Sequence, residues 1–218
     1  VQERGVALVY LDFLRAVHEL VAARGHRMQC WADVVLNHPE VVPDLPPDCE
    51  PILWGYEATH PLSAEAEILS RSCASFQIAP GTSSWQSLGG RTDNCISNLR
   101  SAASAARAHG ASGLLITDWG DRGHLQPMPV SYLGFLHGAE CAWNGAAADE
   151  RSDEALGALL DHHAFRSPGS GLGSFAMEIG RASDSCGVKT ENMSALFYPI
   201  GFPGRSLPDE RIPGLTPE

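Results

Sequence analysis

Lysine is nearly missing from this chain: Lys189 is the single one, and the other cations are arginines scattered one at a time. With a net charge of −11 there is no clustered basic surface to meet a phosphate backbone, so nucleic acid is excluded as a partner. No apolar run approaches the roughly 20 residues needed to span a bilayer, and no membrane partner is expected. The six cysteines, at 30, 49, 73, 95, 141 and 186, never fall at Cys-x-x-Cys spacing, which removes a zinc ribbon or finger. They sit in apolar or helical stretches as buried free thiols do, and this points to a reducing compartment, the cytoplasm. Neither Gly-x-Gly-x-x-Gly nor a glycine-rich phosphate loop followed by lysine occurs, so no cofactor is expected. Gly81-Thr82-Ser83-Ser84-Trp85 lacks the second glycine of a nucleophile elbow. His38, His60 and His124 show neither His-x-His nor His-Glu-x-x-His spacing, and no metal is expected. His38 and His60 each precede a proline, where a ring caps a loop.

What is present is an alternation of helices and short apolar runs. Residues 9–24 read as a helix with Tyr10, Phe13, Leu14, Val17, Leu20 and Val21 on one buried face, closed by Gly25. Residues 27–33 form a strand ending in Trp31 and Asp33, and prolines 43, 46 and 47 then forbid regular structure. A second strand, 52–57, ends in Trp54, Tyr56 and Glu57; a helix over 63–74, capped by Ser63, follows. A third strand, 76–79, runs into a hydroxyl-rich turn that finishes at Trp85. Asp93 or Asn94 caps the next helix, with Ile96, Leu99, Ala103 and Ala106 as its stripe and Gly110 as its end. The fourth strand, 113–118, passes abruptly from Leu-Leu-Ile to Asp118, Trp119, Asp121 and His124, and a helix over 129–143 follows it.

This is the βα rhythm of a parallel sheet. Residues 27–33, 52–57, 76–79 and 113–118 should be neighbouring parallel strands, with Trp31, Glu57, Trp85 and Asp118 at one common end. After residue 145 the pattern changes: 145–151 read as a linker, Ser152 caps a helix through Phe165, and a further helix covers 174–185. His162 and His163 are expected one on the surface and one in the core of that first helix. Residues 1–145 are thus one domain and 146–218 a small helical appendage. The chain begins at Val1 rather than Met and runs out in a proline-rich tail, and is expected to be a piece of something longer.

Trp31, Trp54, Trp85 and Trp119 are four of the five tryptophans, each at a strand end. Indole faces stack on pyranose C–H faces, and carboxylates fix sugar hydroxyls. Asp33, Glu57, Asp118 and Asp121 are the acids available, with Tyr56 and His124 completing the wall; Glu57 and Asp118 are the pair that could act as acid and base themselves.

The runs Cys30-Trp31-Ala32-Asp33, Leu53-Trp54-Gly55-Tyr56-Glu57 with His60-Pro61, the long stretch from Pro80 to Asn94, and Thr117-Asp118-Trp119-Gly120-Asp121 resemble the second half of a family-20 glycoside hydrolase barrel. The similarity covers about residues 5–145, and its nearest branch is the β-N-acetylhexosaminidase-like proteins. It implies an α/β fold, a partial (β/α)8 TIM barrel whose strands 5 to 8 are those above, followed by the helical appendage. It also implies retaining, substrate-assisted hydrolysis of a terminal N-acetylhexosaminide, a carbohydrate substrate. In that chemistry the 2-acetamido oxygen attacks the anomeric carbon, an Asp orients it, and the neighbouring Glu protonates the leaving oxygen. That Asp-Glu pair belongs to strand 4, which would precede Val1. The pairs at 149–150, 153–154 and 209–210 follow no apolar strand. The expectation is a sugar-binding wall without its acid, which should not turn over alone. The open alternatives are a barrel hydrolase using Glu57 and Asp118, and a non-catalytic glycan-binding barrel.

Overall fold

A computed structural model describes residues 5–204, 210, 212, 214 and 215. The protein is α/β, and its described residues form one sheet of four parallel strands in the order β1-β2-β3-β4. The chain divides into two compact units: residues 1–55, 61–80 and 101–115, and residues 56–60, 81–100 and 116–218.

The first unit holds the sheet: β1 (Gln29–Trp31), β2 (Glu50–Trp54), β3 (Gln77–Ala79) and β4 (Gly113–Leu114). Between them run α1 (Val6–Ala22), α2 (Asp33–Leu36), α3 (Leu62–Ser72) and the second half of α4 (Thr92–His109). Leu53, Ile78 and Leu114 stand in register across three strands. They pack with Leu11 and Leu14 of α1, Val35 of α2, Leu62, Ala66 and Leu69 of α3, and Ala102 and Ala105 of α4. Alternation puts Trp31, Ile52, Trp54 and Gln77 on the opposite face of the sheet.

That opposite face begins with a buried acid the sequence reading did not single out. Glu50, 5% exposed, opens β2. It accepts hydrogen bonds from Ser75 (2.5 Å), Ser112 (2.8 Å), Gln29 (2.8 Å) and Gln77 (3.0 Å), with Arg27 at 3.7 Å. One carboxylate therefore ties together residues at the start of every strand. Burial alone would push its carboxyl up, but the four hydrogen bonds outweigh that and hold it down at about 2.

Several local expectations needed correction. The buried face of α1 centres on Ala7, Leu11 and Leu14, while Phe13 (68% exposed) and Leu20 (61%) face away. Gly25 closes α1 as expected: at φ 73° it lets its own N–H reach Ala22 O and the His26 N–H reach Val21 O. The prolines after His38 do not all prevent regular structure: Pro39–Asp44 form a 3-10 helix with Pro39 in its first turn, where a missing N–H is tolerated, and Pro43 inside it, while prolines 46 and 47 lie beyond its end. Ser63 caps nothing, since its hydroxyl bonds His109 Nε2 at 2.9 Å. β1 stops at Trp31, and Asp33 opens α2, where an acid suits the helix N-terminus. β4 is the shortest strand and an edge, and Leu115 beyond it is 39% exposed rather than buried.

The second unit begins where strands end: the chain leaves β2 into residues 56–60, β3 into 81–91 and β4 into 116–127. It adds the first half of α4, α5 (Tyr132–Asp149), α6 (Asp153–Leu159), α7 (Leu172–Arg181) and α8 (Phe197–Gly201). Residues 145–149, expected as linker, are the last turn of α5 beyond a kink at Asn144. Ser152 does cap α6, accepting the Ala155 N–H at 3.2 Å. His162 and His163 both lie exposed on the π-helical turn after it, against the expected split. Cβ atoms at Gly157 and Gly173 would strike Ser174 and the Gly157 carbonyl, so glycines set the close approach of α6 and α7. Asp209, half of the third Asp-Glu pair, lies outside the described residues.

Candidate functional site

The polar and aromatic residues after β2, β3 and β4 converge within the second unit. A parallel bridge joins Gly81 to Thr117, and the Thr82 N–H donates to Thr117 O at 2.9 Å. This sets the hydroxyl-rich turn beside Asp118. Thr82 Oγ1 (2.7 Å) and Ser84 Oγ (2.6 Å) donate to Asp118 Oδ1, and Ser131 Oγ lies 2.9 Å from Oδ2. Ser84 and Ser131 are fully buried and Thr82 nearly so. His124 Nε2 stands 3.9 Å from Oδ2. A carboxylate taking three hydroxyls is fixed in position and direction.

Glu57 is held more tightly still. Arg91 grips it through two bonds (2.8 and 2.5 Å), and the Asn192 N–H adds a third at 2.7 Å. Burial pushes this carboxyl up, yet the hydrogen bonds from Arg91 and Asn192, with the guanidinium charge, bring it below the ordinary range.

Two asparagines one turn apart on α4 place the loops that carry these acids. Asn94 donates to Tyr56 O (2.7 Å) and Ser83 Oγ (2.9 Å) and accepts from the Ala58 N–H (2.8 Å). Asn98, fully buried, donates to Glu57 O and accepts from the Gly81 N–H. Neither Asp93 nor Asn94 therefore serves as the expected cap; Asp93 pairs with Arg181 at 2.7 Å. Gly81 is required, since a Cβ there would collide with the Trp85 indole.

The aromatic part has a core and a rim. Tyr56 packs edge-on to Trp85 (centroids 5.1 Å apart) and to Trp119 (6.2 Å). Trp85, 2% exposed, supports the cluster from beneath and is no stacking platform. Trp119, 37% exposed, presents its ring to solvent. Around it Arg122, Gly123 and His124 all have positive φ, a run of left-handed backbone in which two members are not glycine. No family model and no curated protein matches the chain.

Of the residues singled out from sequence, Tyr56, Glu57, Trp85, Asp118 and Trp119 come together in this unit, with His124 near Asp118 and Asp121 on the exposed loop between. Trp31, Asp33 and Trp54 belong to the first unit, Trp31 being 37% exposed. Arg91, Asn94, Asn98, Thr82, Ser84 and Ser131 were not picked out for the site. The signal for α4 was readable: Arg91, Asn94 and Asn98 recur at helical spacing beside its apolar stripe. Among the described residues no group of three His, Cys, Asp or Glu side chains is placed to hold a metal ion.

Proposed function

We propose that this chain is the glycan-facing part of a glycoside hydrolase resembling family 20, which acts on terminal N-acetylhexosamine by retaining, substrate-assisted chemistry. The observation that carries the reading is the coupling of a solvent-facing indole, Trp119, to an adjacent carboxylate, Asp118, fixed by three buried or nearly buried hydroxyls. An apolar platform beside an oriented acceptor matches a pyranose, which offers an apolar C–H face rimmed by hydroxyl donors. The parallel order β1-β2-β3-β4 supports strands 5 to 8 of a (β/α)8 barrel as the finer architecture. Glu50 adds support, because a carboxylate buried on the sheet face opposite the helices suits the inside of a barrel.

Catalysis needs an acid, and Glu57 is unsuited to be one. A general acid must keep its proton near the working pH, whereas Glu57 is pushed toward the ionised form. Asp149-Glu150 ends α5 and Asp153-Glu154 opens α6, with Asp153 committed to Arg181. The chain alone is therefore proposed to bind its sugar without hydrolysing it. A non-catalytic glycan-binding barrel is the second reading, favoured by the same two immobilised carboxylates.

Calorimetric titration with N-acetylglucosamine and with glucose tests this. The expected result is binding of the acetamido sugar about tenfold or more tighter than glucose, equivalent to about 1.4 kcal/mol. Equal binding of both would remove the N-acetylhexosaminide assignment, and binding of neither would remove the glycan reading.

A further inference from the structure

We propose that Cys30 and Cys49 are a modification site, a dithiol that hydrogen peroxide converts to a disulfide. Nineteen positions separate them, yet their sulfurs lie 3.6 Å apart in hydrogen-bond contact. Cys30 is the middle residue of β1 and pairs with Pro51, while Cys49 stands two positions before Pro51, just ahead of β2, so the two thiols are diagonal neighbours on the same face of the sheet. Neither is in a disulfide. A bond requires the sulfurs to close to about 2.05 Å, a movement of about 1.5 Å, within reach of side-chain rotation and a small strand shift.

The pair is asymmetric in a way that suits this chemistry. Either sulfur of the pair can donate the hydrogen bond; with Cys30 as donor, that bond lowers the Cys49 thiol against the opposing effect of burial, and Arg27 adds to the lowering. The same bond, then burial, raises the Cys30 thiol. Asp48 and Glu50 oppose the thiolate at Cys49, and Asp33 and Cys73 add to the rise at Cys30. With Cys30 as the donor, Cys49 is the nucleophile and Cys30 the resolving thiol. Cys49 is only 3% exposed, which turns away a bulky disulfide such as oxidised glutathione and leaves a small oxidant such as peroxide as the reagent of the proposal.

In the first step the Cys49 thiolate attacks one peroxide oxygen, the O–O bond breaks, and hydroxide leaves, giving a sulfenic acid at Cys49. The Cys30 sulfur then attacks the Cys49 sulfur and expels hydroxide, which takes up the Cys30 proton as water. Overall, two thiols and one peroxide give one disulfide and two waters; the sulfurs lose two electrons and the peroxide gains them. Cys73, just past α3, packs against the same core but is pushed up to about 11 by burial, which keeps it a thiol.

Mild peroxide treatment of the folded, fully reduced chain, followed by thiol blocking and peptide mapping, tests the proposal. The expected result is loss of two of the six thiols, a cross-link between Cys30 and Cys49, and full reversal by dithiothreitol. Cys73→Ala should form the same cross-link, and Cys30→Ala should instead carry one added oxygen at Cys49. Six free thiols after treatment, or a cross-link through Cys73, would overturn the assignment. Should Cys30→Ala fail to fold, the wild-type map still decides.

Discussion

At Asp118 one carboxylate meets the hydroxyls of Thr82, Ser84 and Ser131, so its immediate role is to be held and to hold. Asp118→Asn puts an amide N–H2 where Oδ2 met Ser131 and removes the charge that strengthens the bonds from Thr82 and Ser84. A charge-assisted bond of this kind is worth roughly 1.5–3 kcal/mol. Asp118→Asn should therefore lower Tm by about 3–12 °C, at the shift per kcal/mol usual for a chain of this size, which a thermal melt checks. The sequence made Asp118, Trp119 and Glu57 visible because each follows an apolar run and breaks it. It could not show their partners: Thr82 lies 36 positions from Asp118, and Arg91 34 from Glu57. Trp85 illustrates the same limit, since an indole in a hydroxyl-rich turn reads alike whether it faces a ligand or, as here, the protein interior.

The elements were legible where periodicity and glycine punctuation agreed. Gly25 and Gly110, both at positive φ, stand just past α1 and α4 as their sequences suggest. Legibility failed where tertiary partners competed for the same side chain, as at Ser63 and Asn94, which bond distant groups rather than cap helices. On α1, Val6, Phe13 and Leu20 recur every seventh residue and stay exposed, a second apolar line beside the buried one. The strands were found by their apolar content, but the device joining their beginnings was not, because Gln29, Glu50, Gln77 and Ser112 look like ordinary polar boundaries. Glu50 has a lower carboxyl in the folded protein than in the unfolded chain. It thus contributes stability above the unfolded value, near 4.5, and that contribution is lost as pH falls toward about 2. Melts from pH 7 down to pH 2.5 should show Tm falling below pH 5 more steeply in wild type than in Glu50→Gln. Glu50→Gln should already melt about 4–12 °C lower at pH 7, from a loss of about 2–3 kcal/mol for a carboxylate among four donors. Parallel acid profiles for the two proteins would dismiss this role.

For the whole molecule, the sheet and its helical core form the first unit and the loops leaving β2, β3 and β4 build the second, together with α5 to α8. No helix among the described residues is long and apolar enough to cross a membrane. The net charge of −11 suits a neutral ligand better than a polyanion. The central claim is that Trp119 is the face on which a sugar lies, and titration of N-acetylglucosamine into wild type and Trp119→Ala tests it most directly. A ligand of about 15 heavy atoms at roughly 0.3 kcal/mol each should bind wild type near millimolar concentration. Trp119 is partly exposed, so Trp119→Ala should keep its melt and lose affinity by about tenfold or more. Equal affinity in the two proteins, or no binding to wild type at roughly twenty times the expected constant, would contradict the account.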